Sequence, residues 1–193
     1  MLTLYAKNVD EVWFGVARES EKVFATAFAF SQTQVLQSLL RSIPFNIPFQ
    51  HSIKGNSFAE QVIVSLANIY NGGGYTQNFS LAMEHLSKYA RRVLEAVALV
   101  PVGYVASYGS VAKAVDGSPR AVGQVMASNP FPLIVPCHRI VASNFSLGGY
   151  GGGLHVKLEI LKREKRGYAK EQEIIVKGRK MQIFPVEFVL EKH

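Results

Sequence analysis

The chain has one cysteine, Cys137. It stands in Pro136-Cys137-His138-Arg139, directly after the apolar run Phe131-Pro132-Leu133-Ile134-Val135. A thiol beside an imidazole and a guanidinium has two potential cations as neighbours. Nearby positive charge favours thiolate over thiol, and thiolate is the nucleophile. A lone cysteine is otherwise a small buried hydrophobe, but a structural cysteine needs neither His138 nor Arg139 next to it. The pattern predicts a nucleophile. A redox pair would want a second, resolving cysteine, which the chain lacks. A hydrolase built on Cys137 and His138 would show turnover on an acyl substrate. One cysteine also excludes an intramolecular disulfide and a multi-cysteine zinc site. The five histidines (His51, His85, His138, His155, His193) show no metal-ligand spacing, so no metal is expected.

The elements around Cys137 must present it. Upstream, Leu86, Ala90, Val93, Leu94 and Val97 form the stripe of an amphipathic helix, with Lys88, Arg91, Arg92 and Glu95 elsewhere. Pro101-Val102-Gly103 ends it. Ser107 to Val115 reads as a short helix, and Asp116-Gly117 turns the chain. Ser118 is a good N-cap for the next helix, and Pro119 fits its first position. That helix stops at Asn129, because Pro130 disfavours helical geometry in the residue before it. Two short helices joined by a Gly-containing turn suit a helix-turn-helix, a pattern that plain bundles share. The second helix carries small residues at Ala121, Gly123 and Ala127, fit for helix packing or for close approach to DNA. Arg120 lies in its first turn. Downstream, Ile140-Val141 reads as a strand. Then come five glycines in the six positions 148–153, around Tyr150. Such a segment suits close backbone approach to a ligand. It lacks the Gly-Lys-Ser/Thr ending of a phosphate loop. Val156 to Lys165 reads as a helix, and Glu173–Val176 with Met181–Phe184 as a hairpin around Lys177-Gly178-Arg179-Lys180.

The first 80 residues read as a small α/β domain with no catalytic constellation. Leu2 to Val16 is predicted as one strand and Lys22 to Phe30 as its hairpin partner. Helices follow from N-cap Ser31 through Arg41 and over Ser57 to Tyr70, the latter stopped by Asn71-Gly72-Gly73-Gly74. With 193 residues, 48% hydrophobic and 18% charged, the chain is globular and long enough for two domains with cores. Residues 1–83 carry five basic and five acidic residues; residues 84–193 carry sixteen and nine, so the whole net charge of +7 lies with the cysteine. A basic half suits a polyanion partner, most often nucleic acid. The N-terminus lacks the pattern of a signal peptide, and no apolar stretch suits a membrane span. A reducing, cytoplasmic setting and no membrane partner are therefore expected.

Arg120, Asn129-Pro130, Pro136-Cys137-His138-Arg139 and the Tyr150 glycine segment stand in an order that closely resembles the methylated-DNA–protein-cysteine methyltransferases. These are DNA repair proteins that take alkyl groups from O6 of guanine. Ile134-Val135-Pro136-Cys137-His138-Arg139-Ile140-Val141 is near-diagnostic, and Ser118-Pro119-Arg120-Ala121-Val122-Gly123 is a second match. The resemblance covers roughly residues 86–168. It implies an α/β N-terminal domain like ribonuclease H (1–80) and a mostly α domain with a winged-helix-like helix-turn-helix (81–168). The 169–193 extension, a β-hairpin, goes beyond the common pattern.

The resemblance also implies roles. Cys137 is the permanent alkyl acceptor. His138 acts as base through a water, on the expectation that neighbours in a strand face opposite ways. Glu164 orients His138, although spacing alone reads as a solvated helix charge. Asn129 is a hinge, and Tyr108 donates to guanine N3 and helps rotate the phosphate. Arg120 fills the gap left by a flipped base, with Ser107, Tyr108, Ala121, Gly123 and Ala127 on the DNA. Met126, Val135, Pro136, Ile140, Tyr150, Gly151 and Gly152 form the base pocket and its lid. Gly151 departs from a common serine, and His155 is read as surface. The implied protein is a monomer acting once, without cofactor, on double-stranded DNA carrying O6-alkylguanine, and on O4 of thymine. Relatives that only bind alkylated guanine replace the cysteine, so Cys137 argues against that alternative.

Overall fold

A computed structural model describes all residues from Met1 to His193. Two compact units divide the chain. The first takes residues 1–70, 75–85 and 130–134; the second takes 71–74, 86–129 and 135–193.

In the first unit, the apolar run predicted as one strand is a hairpin. β1 (Leu2–Val9) pairs antiparallel with β2 (Val12–Glu19), with Val9 opposite Val12. Asp10 (φ 48°) and Glu11 (φ 68°) form the two-residue turn between them. Two left-handed residues match the twist of paired strands, which is why such turns favour Asn-Gly. Asp-Glu lacks that signature, so the sequence hid the break. β3 (Lys22–Ala29) continues the meander. Ser31 caps α1 (Gln32–Ser42) by accepting from the Gln34 N–H at 3.3 Å. Three-residue β4 (Phe49–His51) joins β1 in parallel, α2 spans Ser57–Tyr70, and β5 (Ser80–Leu81) joins β3 in parallel. The sheet order is β4-β1-β2-β3-β5. Pro130–Ile134, the approach to the cysteine, is fixed within this unit. Thr26 donates its N–H to the Pro130 carbonyl and its hydroxyl to the Pro132 carbonyl, each at 2.9 Å.

The second unit opens with α3 (Lys88–Ala98), whose N-cap Ser87 accepts from the Ala90 N–H at 3.1 Å. Its stripe Val93, Leu94, Ala96 and Val97 is buried. β6 (Tyr104–Ser107) runs directly into α4 (Tyr108–Val115). Asp116, at φ 58°, closes α4. Ser118 caps α5 (Pro119–Ala127), accepting from the Ala121 N–H at 3.2 Å. Then come a single 3-10 turn (Cys137–Arg139), β7 (Ile140–Val141), α6 (Leu154–Arg163), β8 (Gln172–Val176), β9 (Arg179–Pro185) and α7 (Glu187–Leu190). The sheet order is β7-β6-β9-β8, with β6 parallel to β7 and antiparallel to β9. The hairpin β8–β9 thus joins the sheet that carries the strand after the cysteine. No helix is long and apolar enough to cross a membrane.

Candidate active site

Cys137, His138 and Arg139 do not lie on a strand. They form one 3-10 turn, and all three are buried. About three residues per turn splays consecutive side chains around the axis rather than across two faces. The expectation of alternating strand faces is corrected accordingly. The turn is pinned by the Cys137 N–H on the Val135 carbonyl (2.7 Å) and the Arg139 N–H on the Pro136 carbonyl (2.9 Å). Asn129 Nδ2 donates to the Val135 carbonyl at 3.0 Å, and its side chain also hydrogen-bonds the Cys137 thiol. α5 is thereby tied to the cysteine-bearing turn.

The imidazole and the guanidinium beside Cys137 both engage Glu164. His138 Nε2 lies 2.9 Å from Glu164 Oε1. Arg139 donates to the same carboxylate through Nε (2.9 Å to Oε2) and Nη2 (2.8 Å to Oε1), and through Nη1 to the Val100 carbonyl at 2.6 Å. Glu164 sits at the C-terminal cap of α6 and is fully buried, not solvated. Burial alone would push its carboxyl up, but His138 and Arg139 outweigh it and hold it down to about 2. His138 moves down from its usual value because burial disfavours the imidazolium more than Glu164 favours it. A neutral imidazole beside a carboxylate keeps its proton on Nε2. Its buried Nδ1 has no protein partner. Arg139 completes the charge balance of Glu164.

Lys157, which sequence reasoning passed over, supplies the cation near the thiol. It lies on α6 and is fully buried. Its Nζ donates to the carbonyls of Ile140 and Leu147, with Gly149 at 3.5 Å, and lies 5.8 Å from the centre of the Tyr150 ring. Burial pushes its amine down to about 8, and Cys137 opposes that shift. Burial pushes the Cys137 thiol up, more than Asn129 and Lys157 pull it down. Burial thus favours the thiol over the thiolate at Cys137. One signal was available: Lys157, Ile160, Leu161 and Glu164 share a helical stripe, and two charges on a buried stripe ask for partners.

The remaining predicted residues fall into two sets. Tyr108 opens α4; its hydroxyl accepts from the Gly149 N–H, and burial pushes its phenol up. Its ring faces Gly148 and Gly123: added Cβ atoms there would meet it at 3.0 and 3.9 Å. Val135, Pro136 and Ile140 are buried around the turn, and Met126 is half-buried on α5. Arg120 and Ala127 are exposed on α5, Ala121 and Gly123 half-buried. Tyr150 is half-buried, while Gly151, Gly152 and His155 are exposed. Ser107 is not displayed to solvent. Its hydroxyl caps α4, accepting from the Ser110 N–H at 2.9 Å, and the residue is 7% exposed. No group of His, Cys, Asp or Glu side chains could hold a metal ion.

The profile described as "6-O-methylguanine DNA methyltransferase, DNA binding domain" matches residues 88–166, which include Cys137, Lys157 and Glu164. A methylated-DNA–protein-cysteine methyltransferase from Methanocaldococcus vulcanius is 47% identical over 81 residues, 42% of this chain and 50% of that one. The chain spans about half the length of that relative and less than half of the next two. A relative of the same name from Thermococcus gammatolerans is 31% identical over 166 residues, 83% of this chain and 92% of that one. The chain belongs to the methylated-DNA–protein-cysteine methyltransferase family. The fold agrees: the crystal structure of O6-methylguanine-DNA methyltransferase from Pyrococcus kodakaraensis matches with a TM-score of 0.63 at 31% identity. The match covers 85% of this chain and 99% of that one. In this methyltransferase-family chain the shared profile ends at Arg166, before β8, β9 and α7.

Proposed function

We propose that the protein repairs DNA by moving an alkyl group from O6 of guanine onto Cys137 Sγ, once per molecule. The observation that carries this reading is buried Cys137 on one turn with His138, whose Nε2 is held by Glu164 and whose buried Nδ1 has no protein partner. The proton of His138 is committed to Glu164, and its other nitrogen is free to accept. The thiol proton passes through a water to His138 Nδ1. Sulfur then attacks the alkyl carbon, the carbon–O6 bond breaks, and its electron pair returns to the guanine ring. Tyr108 stabilises that charge by donating toward N3; the Gly149 N–H on its oxygen leaves the phenol proton free for this. Lys157 stabilises the thiolate as it forms. The resulting thioether is a poor leaving group, and no second nucleophile resolves it, so the reaction ends there. No cofactor takes part.

An alkyl group on O6 inside a stacked duplex is out of reach of a buried thiol. The base must be extruded, at about a few kcal/mol, and an inserted side chain offsets part of that cost. Exposed Arg120 at the start of α5 fills this role, with Ala121, Gly123 and Ala127 allowing α5 close approach in the minor groove. Ser107 supports this by capping α4, while Asn129 hinges α5 to the turn. Met126, Val135, Pro136 and Ile140 line the base pocket under Tyr150, Gly151 and Gly152. O4 of alkylated thymine offers the same chemistry. The α4–α5 pair with the β8–β9 hairpin fits a winged-helix domain (81–168, with 169–193 appended). Residues 1–80 fit a ribonuclease H-like support. The protein acts as a cytoplasmic monomer.

The test is to incubate the protein with a duplex containing O6-methylguanine and weigh it intact. The expected result is a gain of one methylene unit on Cys137, stoichiometric and saturating, and absent in Cys137→Ala. Many repaired bases per protein, or an unmodified Cys137 beside a repaired base, would overturn the mechanism.

A further inference from the structure

The C-terminal segment beyond the shared profile packs against the turn that leads into the glycine segment. Phe145 sits in that turn at φ 63°, a left-handed conformation that a bulky side chain adopts only when held. Two aromatic rings hold it edge-on: Phe184 of β9 at 5.1 Å and Phe188 of α7 at 5.5 Å. Lys192, just past α7, donates to the Asn144 carbonyl and lies 6.0 Å from the Phe145 ring centre. Two residues on, Leu147 is buried in one apolar cluster with Val186 and Val189. The Leu147 carbonyl is in turn an acceptor of Lys157 Nζ, the cation near the thiol.

We infer that the 184–192 segment, with Phe188 and Lys192 as positioning residues, sets the rate of alkyl transfer by fixing the 142–147 turn from which Lys157 and the glycine segment take their places. The inference rests on the alkyl-transfer reading above. None of these residues touches the reacting atoms. They act through Phe145 and Leu147, whose backbone anchors one of the carbonyls that hold Lys157. A site built to react once has no later cycle in which to correct a misplaced group, so its geometry before the encounter decides the rate.

A single-turnover reaction separates positioning from folding. The fraction of protein finally alkylated reads how much is folded, and the rate constant reads geometry. The experiment uses the full chain and a duplex containing O6-methylguanine, with DNA concentration varied to give a limiting rate and a half-saturation. For Phe188→Ala the limiting rate should fall about tenfold or more, with half-saturation moved by less than about twofold. The alkylated endpoint should stay near that of the parent, and Phe188→Leu should restore most of the rate. Lys192→Met, an exposed change that leaves the core intact, should slow transfer about two- to threefold by the same route. Parent-like limiting rates in both variants would overturn the inference. So would losses confined to the endpoint, which would mean that the segment serves folding alone. Failure of the parent protein to gain mass on Cys137 would instead sink the alkyl-transfer reading itself.

Discussion

Arg139 and Lys157 are both buried cations of the second unit, and they are accommodated in opposite ways. Arg139 meets a carboxylate, Glu164, in a two-point ion pair and donates its remaining reach to the Val100 carbonyl. Lys157 meets carbonyl oxygens and the Tyr150 ring but no carboxylate, and the ionisable group that acts on it is the Cys137 thiol. One positive charge has a permanent counter-ion. The other is held by dipoles, and its counter-ion exists only when the thiol ionises. The difference separates a fixed pair from a poised charge: the Arg139–Glu164 pair holds the back of the turn, while on the proposed mechanism Lys157 would meet the anion as it forms.

Breaking the permanent pair should give the largest effect. Glu164→Gln leaves Arg139 buried without its counter-ion, and such losses cost about 3–5 kcal/mol. Chemical denaturation at neutral pH measures it, and alkyl transfer should slow as His138 loses its orienting partner. The sign with pH follows from a carboxyl held at about 2 against an ordinary 4.5. The stabilisation is present above 4.5 and is lost as pH falls toward 2, so the parent's advantage over Glu164→Gln should shrink in that window. An advantage that persists at the acid end would show that Glu164 contributes shape rather than charge.

Lys157→Met tests the other half. It removes a cation whose burial is unfavourable, so stability at neutral pH should change less than in Glu164→Gln. Transfer, by contrast, should slow, and its pH dependence should move to higher pH because the thiol loses the group that favours its ionised form. The folded-state amine lies at about 8 against an unfolded 10.5. The unfolded chain binds the extra proton between those values, so the parent should gain stability relative to Lys157→Met as pH rises across that window. A rate profile identical to the parent's would remove Lys157 from the chemistry.

The smallest effect is expected at a surface pair. Lys177 of the hairpin reaches Glu95 of α3 at 2.5 Å with both side chains solvated. Exposed pairs contribute about 0–1 kcal/mol, less in salt. Glu95→Gln should therefore shift the denaturation midpoint marginally, and the shift should vanish at high ionic strength. A loss on the scale of Glu164→Gln would erase the distinction between buried and exposed charges.

Caps and breakers were the legible part of the fold. Ser31, Ser118 and Pro119 announce helix starts because a side-chain oxygen or a missing N–H answers a local need. The turn at Asp10-Glu11 was not legible, since its left-handed backbone is imposed by strand pairing rather than by residue type. Two- and three-residue strands such as β4 and β5 carry too few residues for a period to show. In the candidate site, Cys137 and His138 stand out from their own motif, whereas Asn129, Tyr108 and Glu164 are named only through the family resemblance. The resemblance makes Arg139 a structural or electrostatic partner rather than a chemical one, but its partners and the burial of Lys157 could not be named, because spacing does not say which way a side chain leaves the backbone. Only the 3-10 turn decides which way each side chain leaves the backbone.

The glycine segment carries one more consequence. A side chain added at Gly148 would strike Tyr108, and Gly153 stands at φ 93°, whereas Gly151 has open space around it and no left-handed backbone. Inheritance can therefore experiment at Gly151 without disturbing the fold. Gly151 is thus a place in this segment where a side chain could be added with no change to the backbone around it.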